Sequence, residues 1–282
     1  MNILIPVDFT EISENGLRTA EKLAERLRGT FHLVHIISNP IPPQPMDGPD
    51  LMTRQQPMVE NQILMDSLHE KRENDLKDLA GKYDFEESNI RTAVILGDFN
   101  IEMSNYVNEH HIDLVVMGTE GEDSLTEIFS GSHAERVIRH TDIPVLAIRD
   151  YDPSIRFETI LIALDIRDHH EDAVKRIRKF AEKLEMEVIL VHVIRKKDSV
   201  FEDLENRLEE FAEKYGFSNY RIEIAADGKV AGKLEELSEK YSADIIATLS
   251  EAESGLIRLF FGSKTKDLLK HTDIPLLSVH DR

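Results

Sequence analysis

The residues with the clearest chemical potential lie in the stretch MGTEGEDSLTEIFSGS, Met117 to Ser132. Its glycines, Gly118, Gly121 and Gly131, follow an apolar run and precede a segment with helical periodicity. Glycines after a strand let backbone N–H groups approach an anion with no Cβ in the way. The N-terminus of the following helix favours a phosphate. The stretch therefore predicts a phosphate site, in which Ser132 either donates its hydroxyl or only caps the helix.

The spacing of these glycines excludes two common nucleotide motifs. It reads G-x2-G-x9-G-S, whereas a P-loop needs G-x4-G-K-[ST] and the dinucleotide fingerprint is G-x-G-x-x-G. On glycine content alone, a flexible loop ending in a capping serine is the alternative interpretation.

Composition narrows the class of protein. The chain has 282 residues, a formal net charge of −20 and no cysteine. The acidic balance argues against a nucleic-acid or anionic-membrane partner, and the lack of cysteine excludes disulfides and thiolate metal sites. The opening MNILIPVDFT has no basic segment before its short apolar run, and no apolar run approaches the roughly 18 residues of a membrane span. We expect a cytoplasmic protein.

The chain contains a duplication. NILIPVD and LVHII return 157 residues later as TILIALD and LVHVI (Asp8 to Asp165), and HTDIPVLAI returns 131 residues later as HTDIPLLSV (His140 to His271). The order of the matches is kept, so we predict two domains, 1–150 and 151–282, joined by a short polar linker. The first copy is longer by 26 residues, most of them in the proline-rich segment 39–57, which predicts an irregular loop.

Apolar runs and helical periodicity alternate in both copies. In the first copy we predict helices over 12–27 (ended by Gly29), 58–83, 100–110 and 132–140, and strands over 2–8, 31–37, 90–96, 113–117 and 144–149. In the second copy we predict strands over 159–165, 187–194, 221–226, 244–248 and 275–280. This order predicts an α/β fold with a parallel sheet and helices on both faces. Ligands of such sheets bind at the carboxyl ends of the strands where the winding reverses, which brings Asp8 and the glycine stretch together.

The spacing G-x2-G-x9-G-[ST] between strand four and helix four resembles the ATP-binding signature of the universal stress protein family. ILIPVDFT and GSHAERVIRHTDIPVLAIR resemble that family too, and the likeness extends over both copies. It implies two doubly wound five-stranded parallel-sheet domains of the universal stress protein/adenine nucleotide alpha-hydrolase-like type. It also implies that the two fifth strands, 145–148 and 276–279, pair and pack the halves as an internal pseudo-dimer.

The resemblance assigns residues near the base and sugar of ATP. Pro6, Val7 and Asp8 would border the adenine and ribose, with the backbone groups of Val7 reading the base, and Met117 would line the nucleotide pocket. Asp8 would hold Mg²⁺ brought with ATP, bond a ribose hydroxyl or cap the following helix.

The resemblance also assigns residues to the ribose and phosphates, namely Gly118, Gly121, Gly131 and Ser132. His133 stands where the family usually has a small or apolar residue. It either contacts a phosphate when protonated or is an ordinary surface histidine of the helix.

The second copy departs from the signature. Leu249 and Ala252 replace the first two glycines, although Gly262 and Ser263 remain, and Ala163-Leu164 replaces Pro6-Val7. A leucine at the end of the strand would place a side chain where ribose or phosphates should lie. We therefore predict one ATP site, in the N-terminal half.

The histidines offer further candidates. Neither His110–His111 nor His169–His170 is a ready chelate, because adjacent helical residues face different directions. His35 and His192 occupy equivalent positions at the end of strand two, where each either contacts a ligand or is satisfied by neighbouring protein groups.

The functional expectation is an ATP-binding, nucleotide-responsive stress regulator with an unidentified protein partner, and not a fast enzyme. One alternative is a slow ATPase or nucleotide hydrolase. Another is a nucleotide-independent scaffold that binds partners through its proline-rich segment. We can name no residue that favours further homodimerisation.

Overall fold

The computed structural model describes residues 1–38, 55–85, 89–119, 137, 141, 143–164, 171–193, 203–225, 230–249 and 274–279. The elements of the first half are β1 (Asn2–Pro6), α1 (Glu11–Ala24), β2 (Thr30–Ile37), α2 (Gln55–Ala80), β3 (Asn89–Leu96), α3 (Phe99–Glu109), β4 (Leu114–Gly118) and β5 (Val145–Ile148). Those of the second half are β6 (Thr159–Ala163), α4 (Glu171–Lys183), β7 (Glu187–Val193), α5 (Leu204–Tyr215), β8 (Tyr220–Ala225), α6 (Val230–Tyr241), β9 (Ile245–Leu249) and β10 (Leu276–Val279). The predicted helix 132–140 lies outside the described residues, apart from Val137, which is helical.

The strands form one ten-stranded sheet in the order β3-β2-β1-β4-β5-β10-β9-β6-β7-β8. Neighbouring strands are parallel within each half. Between the halves, β5 and β10 pair antiparallel, with Leu277 opposite Leu146 and Ser278 opposite Val145. The structure confirms the predicted fold class, two five-stranded parallel sheets packed as a pseudo-dimer.

The hydrophobic core is continuous across the two halves on one face of the sheet. There α1, α2, α4 and α5 bury their apolar faces in a single cluster that includes Leu146 and Leu277. On the opposite face each half has its own cluster, against α3 in the first half and against α6 in the second. Because both faces are covered, the central strands β1, β4, β5, β6, β9 and β10 are mostly apolar, whereas the edge strands β3 and β8 also carry charged residues.

Two local predictions about helix ends are wrong. Helix α1 ends at Ala24 with Glu25 as its C-cap, so Gly29 does not terminate it. Gly29 instead allows a close approach, since a Cβ there would lie 2.2 Å from the carbonyl oxygen of Met1. Helix α2 begins at Gln55 and includes Pro57, because the first turn of a helix has no intrahelical bond for the missing N–H to break.

Helix α1 is bonded directly to the linker and the second half. The guanidinium of Arg26 donates to the carbonyl oxygens of Arg156 at 2.9 Å, Phe157 at 3.1 Å and Leu184 at 2.7 Å. Near the other end of the helix, the amide of Asn15 donates to the carbonyl oxygen of Arg149 at 3.1 Å. The helix that follows β1 therefore also holds the two halves together.

Candidate functional site

The candidate site lies where the strand order of the first half reverses. Strand β1 pairs with β2 on one side and with β4 on the other, with Ile3 opposite Leu114 and Leu4 opposite Val115. The connections from β1 run toward β3, whereas β4 leads to β5 on the other side. The carboxyl ends of β1 and β4 are thus neighbours at a topological switch point, the usual place for a ligand in such a sheet.

Val7, just beyond β1, has both of its backbone groups bonded within the protein. Its N–H donates to the carbonyl oxygen of Val34 at 2.8 Å, and its carbonyl oxygen lies 2.6 Å from Nδ1 of His35. A carbonyl only accepts, so His35 is the Nδ1–H tautomer in this contact. Burial lowers the pKa of His35, and the nearby Arg72 charge lowers it further, although the bond to Val7 raises it.

The same arrangement occurs in the second half. The N–H of Leu164 donates to Val191 at 3.0 Å, and Nδ1 of His192 lies 3.2 Å from the carbonyl oxygen of Leu164. The histidine contact is therefore present in the half with the altered glycine motif as well. This supports the interpretation in which His35 and His192 are satisfied by neighbouring protein groups.

Asp8 organises the start of α1 without capping it. Its Oδ1 accepts from the backbone N–H of Thr10 at 2.9 Å and from the Thr10 hydroxyl at 2.6 Å. Thr10 is the N-cap, and its Oγ1 accepts from the N–H of Ser13 at 3.3 Å. Asp8 is exposed at the edge of the sheet, where it is accessible to a ligand.

Replacing Thr10 with alanine should destabilise the protein by about 1 kcal/mol, because the N-cap acceptor is lost. Thr10→Ser keeps the hydroxyl and is the matched control, with unfolding expected within a few tenths of a kcal/mol of wild type. Thermal unfolding of the three proteins measures the difference. Equal loss in both variants would mean that the hydroxyl does not stabilise α1.

Two residues near the site, Phe9 and Arg72, were not identified as candidates from the sequence. Phe9 adopts a left-handed backbone conformation, φ 64°, and its ring packs edge-on against the ring of His35, with 4.9 Å between centroids. The Arg72 guanidinium of α2 lies 4.9 Å from the centroid of the Phe9 ring and pairs with Asp75 at 3.3 Å. No spacing pattern relates residue 72 to residue 9, so only the fold could reveal this contact.

Gly118, at the end of β4, allows α1 to approach the strand. A Cβ at Gly118 would lie 1.8 Å from the carbonyl oxygen of Ile12, and a Cβ at Gly16 would lie 2.8 Å from the backbone nitrogen of Gly118. The position therefore faces a helix, and its glycine is required for packing whether or not a phosphate lies nearby.

Leu249 occupies the equivalent position in the second half, where the sequence predicted a side chain in the place of ribose or phosphates. Leu249 is half-buried and packs against the core shared by α4 and α5, together with Ala173, the counterpart of Gly16. Its side chain thus faces the helix layer. The pair Ala173 and Leu249 replaces the close glycine contact of the first half with ordinary side-chain packing.

Met117 is buried, with an exposed fraction of 4%. It packs with Met103 and Val137 in the cluster beneath α3. Met117 supports the end of β4 from within this cluster.

Other predicted residues lie outside the described part of the chain: Gly121, Gly131, Ser132, His133, Asp165, His169, His170, Ala252, Gly262 and Ser263. Among the described side chains, no three histidine or acidic groups come together to hold a metal ion. None of the helices that the structure describes is long and apolar enough to span a membrane.

Comparison with known proteins gives consistent matches over both halves. The model of the universal stress protein family matches residues 1–149 and 156–280. Universal stress protein G of Salmonella typhimurium is 29% identical over 149 residues, covering 52% of this chain and 97% of that protein. Universal stress protein MJ0531 of Methanocaldococcus jannaschii is 25% identical over 148 residues, covering 52% of this chain and 81% of that protein.

The fold is also found in solved structures. A universal stress protein from Archaeoglobus fulgidus superposes with a TM-score of 0.68 over 99% of this chain and 96% of its own, at 18% identity. A protein of Pseudomonas aeruginosa, PA1789, superposes with a TM-score of 0.59 over 99% of this chain and 92% of its own, at 16% identity. At these identities the likeness concerns the fold alone.

Proposed function

As this chain belongs to the universal stress protein family, with two copies of the domain, we propose that it binds ATP in its N-terminal half and acts as a nucleotide-responsive stress regulator. The same proposal gives it a cytoplasmic location and a protein partner that responds to the nucleotide-bound state.

The observation that carries this proposal is that β1 and β4 end side by side at the switch point of the first half. Asp8 lies just beyond the end of β1, and β4 ends at Gly118. The signature G-x2-G-x9-G-S begins at that same glycine. A sheet edge with a carboxylate on one side and a glycine-rich loop on the other suits a ligand with both a sugar and phosphates.

The contacts at the end of β1 refine how a base would be recognised. The N–H of Val7 is bonded to Val34, and one side of its carbonyl oxygen contacts His35. A carbonyl oxygen has two lone pairs, so Val7 would read an adenine through the second lone pair, which accepts from the exocyclic amine. Breaking the sheet bond of the Val7 N–H would cost more than this contact returns.

Asp8 would act on the sugar or on the magnesium that accompanies ATP. An exposed carboxylate at the sheet edge fits Mg²⁺, because this ion is usually held by one or two carboxylates together with phosphate oxygens and water. The phosphates would lie against the N–H groups of Gly121, Gly131 and Ser132, and His133 would face them or the solvent.

We propose a single site because the second copy lacks two of the three signature glycines. Gly118 and its counterpart Leu249 each face a helix, so the difference between them follows from how that helix packs. This difference therefore supports a single ATP site less strongly than the sequence alone indicated. The stronger reason for a single ATP site is Ala252, which stands where the first copy has Gly121.

Native mass spectrometry of the purified protein tests the number of sites. We expect one nucleotide per chain, retained from the cell or bound from added Mg-ATP. Two nucleotides per chain would contradict the asymmetry, and none at millimolar ATP would contradict binding itself.

A pair of equivalent substitutions tests the location. Asp8→Ala should weaken ATP binding about tenfold, the effect of losing one hydrogen bond to a charged group. Asp165→Ala, its counterpart in the second half, should leave the affinity unchanged. Calorimetric titration measures both, and melting without nucleotide shows whether each variant is folded. Equal weakening in the two variants would place the site elsewhere.

A further inference from the structure

A buried histidine lies in the middle of the first half, away from the candidate site. His32 is on β2 with an exposed fraction of 1%. Its register partners in the sheet are Leu4 on β1 and Arg91 on β3. Tyr106 of α3 and His110, the C-cap of that helix, pack against its ring.

His32, Tyr106 and His110 form a contiguous group, here called the His32 cluster. Nδ1 of His32 lies 3.0 Å from the Tyr106 hydroxyl. The ring centroids of Tyr106 and His110 are 4.0 Å apart, and those of His32 and His110 are 5.5 Å apart. Nε2 of His32 is buried and has no hydrogen-bond partner among the residues that the structure describes.

The charges around the His32 cluster disfavour a proton on His32. Burial is the main reason that its pKa is lowered from 6.5 to about 4, and His110 and Arg91 lower it further. Glu109, on α3, acts on Tyr106, and β1 contributes only the apolar Leu4 at this position. No carboxylate among these neighbours is bonded to His32.

The second half has an apolar residue at the position of this histidine. The position equivalent to His32 is Ile189, which is fully buried on β7. Since the two halves share their architecture, an apolar residue suffices for the fold here. The histidine is thus a feature of the first half alone, and burying its Nε2 without a partner among the described residues destabilises the folded state.

We propose that the His32 cluster is an acid-responsive element that releases α3 from the sheet when His32 takes up a proton. A protonated imidazole has two N–H donors; Nδ1–H can bond the Tyr106 oxygen, but Nε2–H would be buried without an acceptor. The new charge would also face His110 and Arg91. Moving α3 outward admits water to the ring and relieves both costs.

Release of α3 would spread to the end of β4. Met103 and Val107 of α3 pack in the same cluster as Met117 of β4. Loss of this packing would loosen the α3 face of the first half, whereas α4 of the second half packs in a different cluster, on the opposite face of the sheet. Acid would therefore act on one half of the chain.

Hydrogen exchange of the full-length protein, followed by mass spectrometry at pH 7 and pH 5, tests this proposal. The pKa of His32 is lower in the folded state, so the open state binds the proton first and opening becomes easier as the pH falls from about 6.5 to about 4. Between pH 7 and pH 5, linkage gives a loss of protection of about twentyfold. We expect that loss in peptides from 99–109 and not in peptides from 171–183.

The matched control is the double variant His32→Ile with Tyr106→Phe, which gives β2 the residue type of the second half and removes the Tyr106 hydroxyl that would otherwise lose its partner. Its α3 peptides should show the same protection at both pH values. An unchanged wild type at pH 5, or the same loss in the double variant, would overturn the proposal. If the variant does not fold, an NMR titration of His32 in the wild type decides, since protonation above pH 6 with α3 still protected is incompatible with it.

Discussion

Replacing Gly118 with alanine is expected to destabilise the protein by about 3 kcal/mol, at the upper end of the cost of overpacking a core. The new Cβ would lie 1.8 Å from the carbonyl oxygen of Ile12 and 2.6 Å from its carbonyl carbon. These are backbone atoms of α1, so no side-chain rotation can relieve the clash. Helix α1 must move away from β4 and break its own packing. Denaturant unfolding followed by circular dichroism measures the loss.

Gly81→Ala is the matched control. A Cβ at Gly81 would meet the carbonyl oxygens of Asp78 and Lys77 at 3.6 Å, which is ordinary contact, so its stability should match wild type within about 0.5 kcal/mol. If Gly118→Ala unfolds like Gly81→Ala, then α1 does not approach β4 as closely as described. The clash also means that weaker ATP binding by a Gly118 variant would not by itself demonstrate a ligand contact.

Replacing Leu277 with alanine should also cost about 3 kcal/mol, in the range for a fully buried leucine. Leu277 lies opposite Leu146 where β10 pairs with β5, and both side chains are fully buried in the core common to the two halves. The cavity would open at the seam between the halves. We therefore expect unfolding at lower denaturant, with the two halves separating into distinct transitions.

Ser278→Ala, at the next position of the same strand, is the control for Leu277→Ala. The Ser278 hydroxyl is fully buried and has no hydrogen-bond partner within the described part of the chain. Removing it should leave stability unchanged or raise it by up to about 1 kcal/mol, because an unsatisfied polar group is lost. A large loss in Ser278→Ala would show that this hydroxyl has a partner and that the seam is polar.

Most of the fold was predictable because its signals are local. Most central strands are continuous apolar runs, and the observed strands differ from the predicted ones by a few residues at their ends, as β1 does by ending at Pro6. The resemblance to the universal stress protein family implied paired fifth strands, which the structure confirms. The end of α1 was not predictable, since Gly29 serves the close approach to Met1, a contact between strands and not a helix cap.

The location of the candidate site was predictable from the sequence, whereas the contacts made by its individual residues were less predictable. Asp8 and Gly118 were expected at one edge of the sheet, and the strand order brings them there. That position 118 faces α1 depends on the distance between a helix and a strand, which periodicity does not contain. The same holds for Arg72 above Phe9, because residues on α2 and on the loop after β1 meet only once both elements have packed on the sheet.

The antiparallel pairing of β5 with β10 has a consequence for how the two copies can evolve. When two identical chains form such a dimer, every substitution appears on both sides of the seam. Within one chain each side is encoded separately, so one copy can keep Gly118 and His32 while the other carries Leu249 and Ile189. The linker also keeps the halves at a high effective concentration, so their association does not depend on how much protein the cell makes. In this chain one half can therefore specialise in sensing while the other provides structural support, which a dimer of identical subunits cannot do.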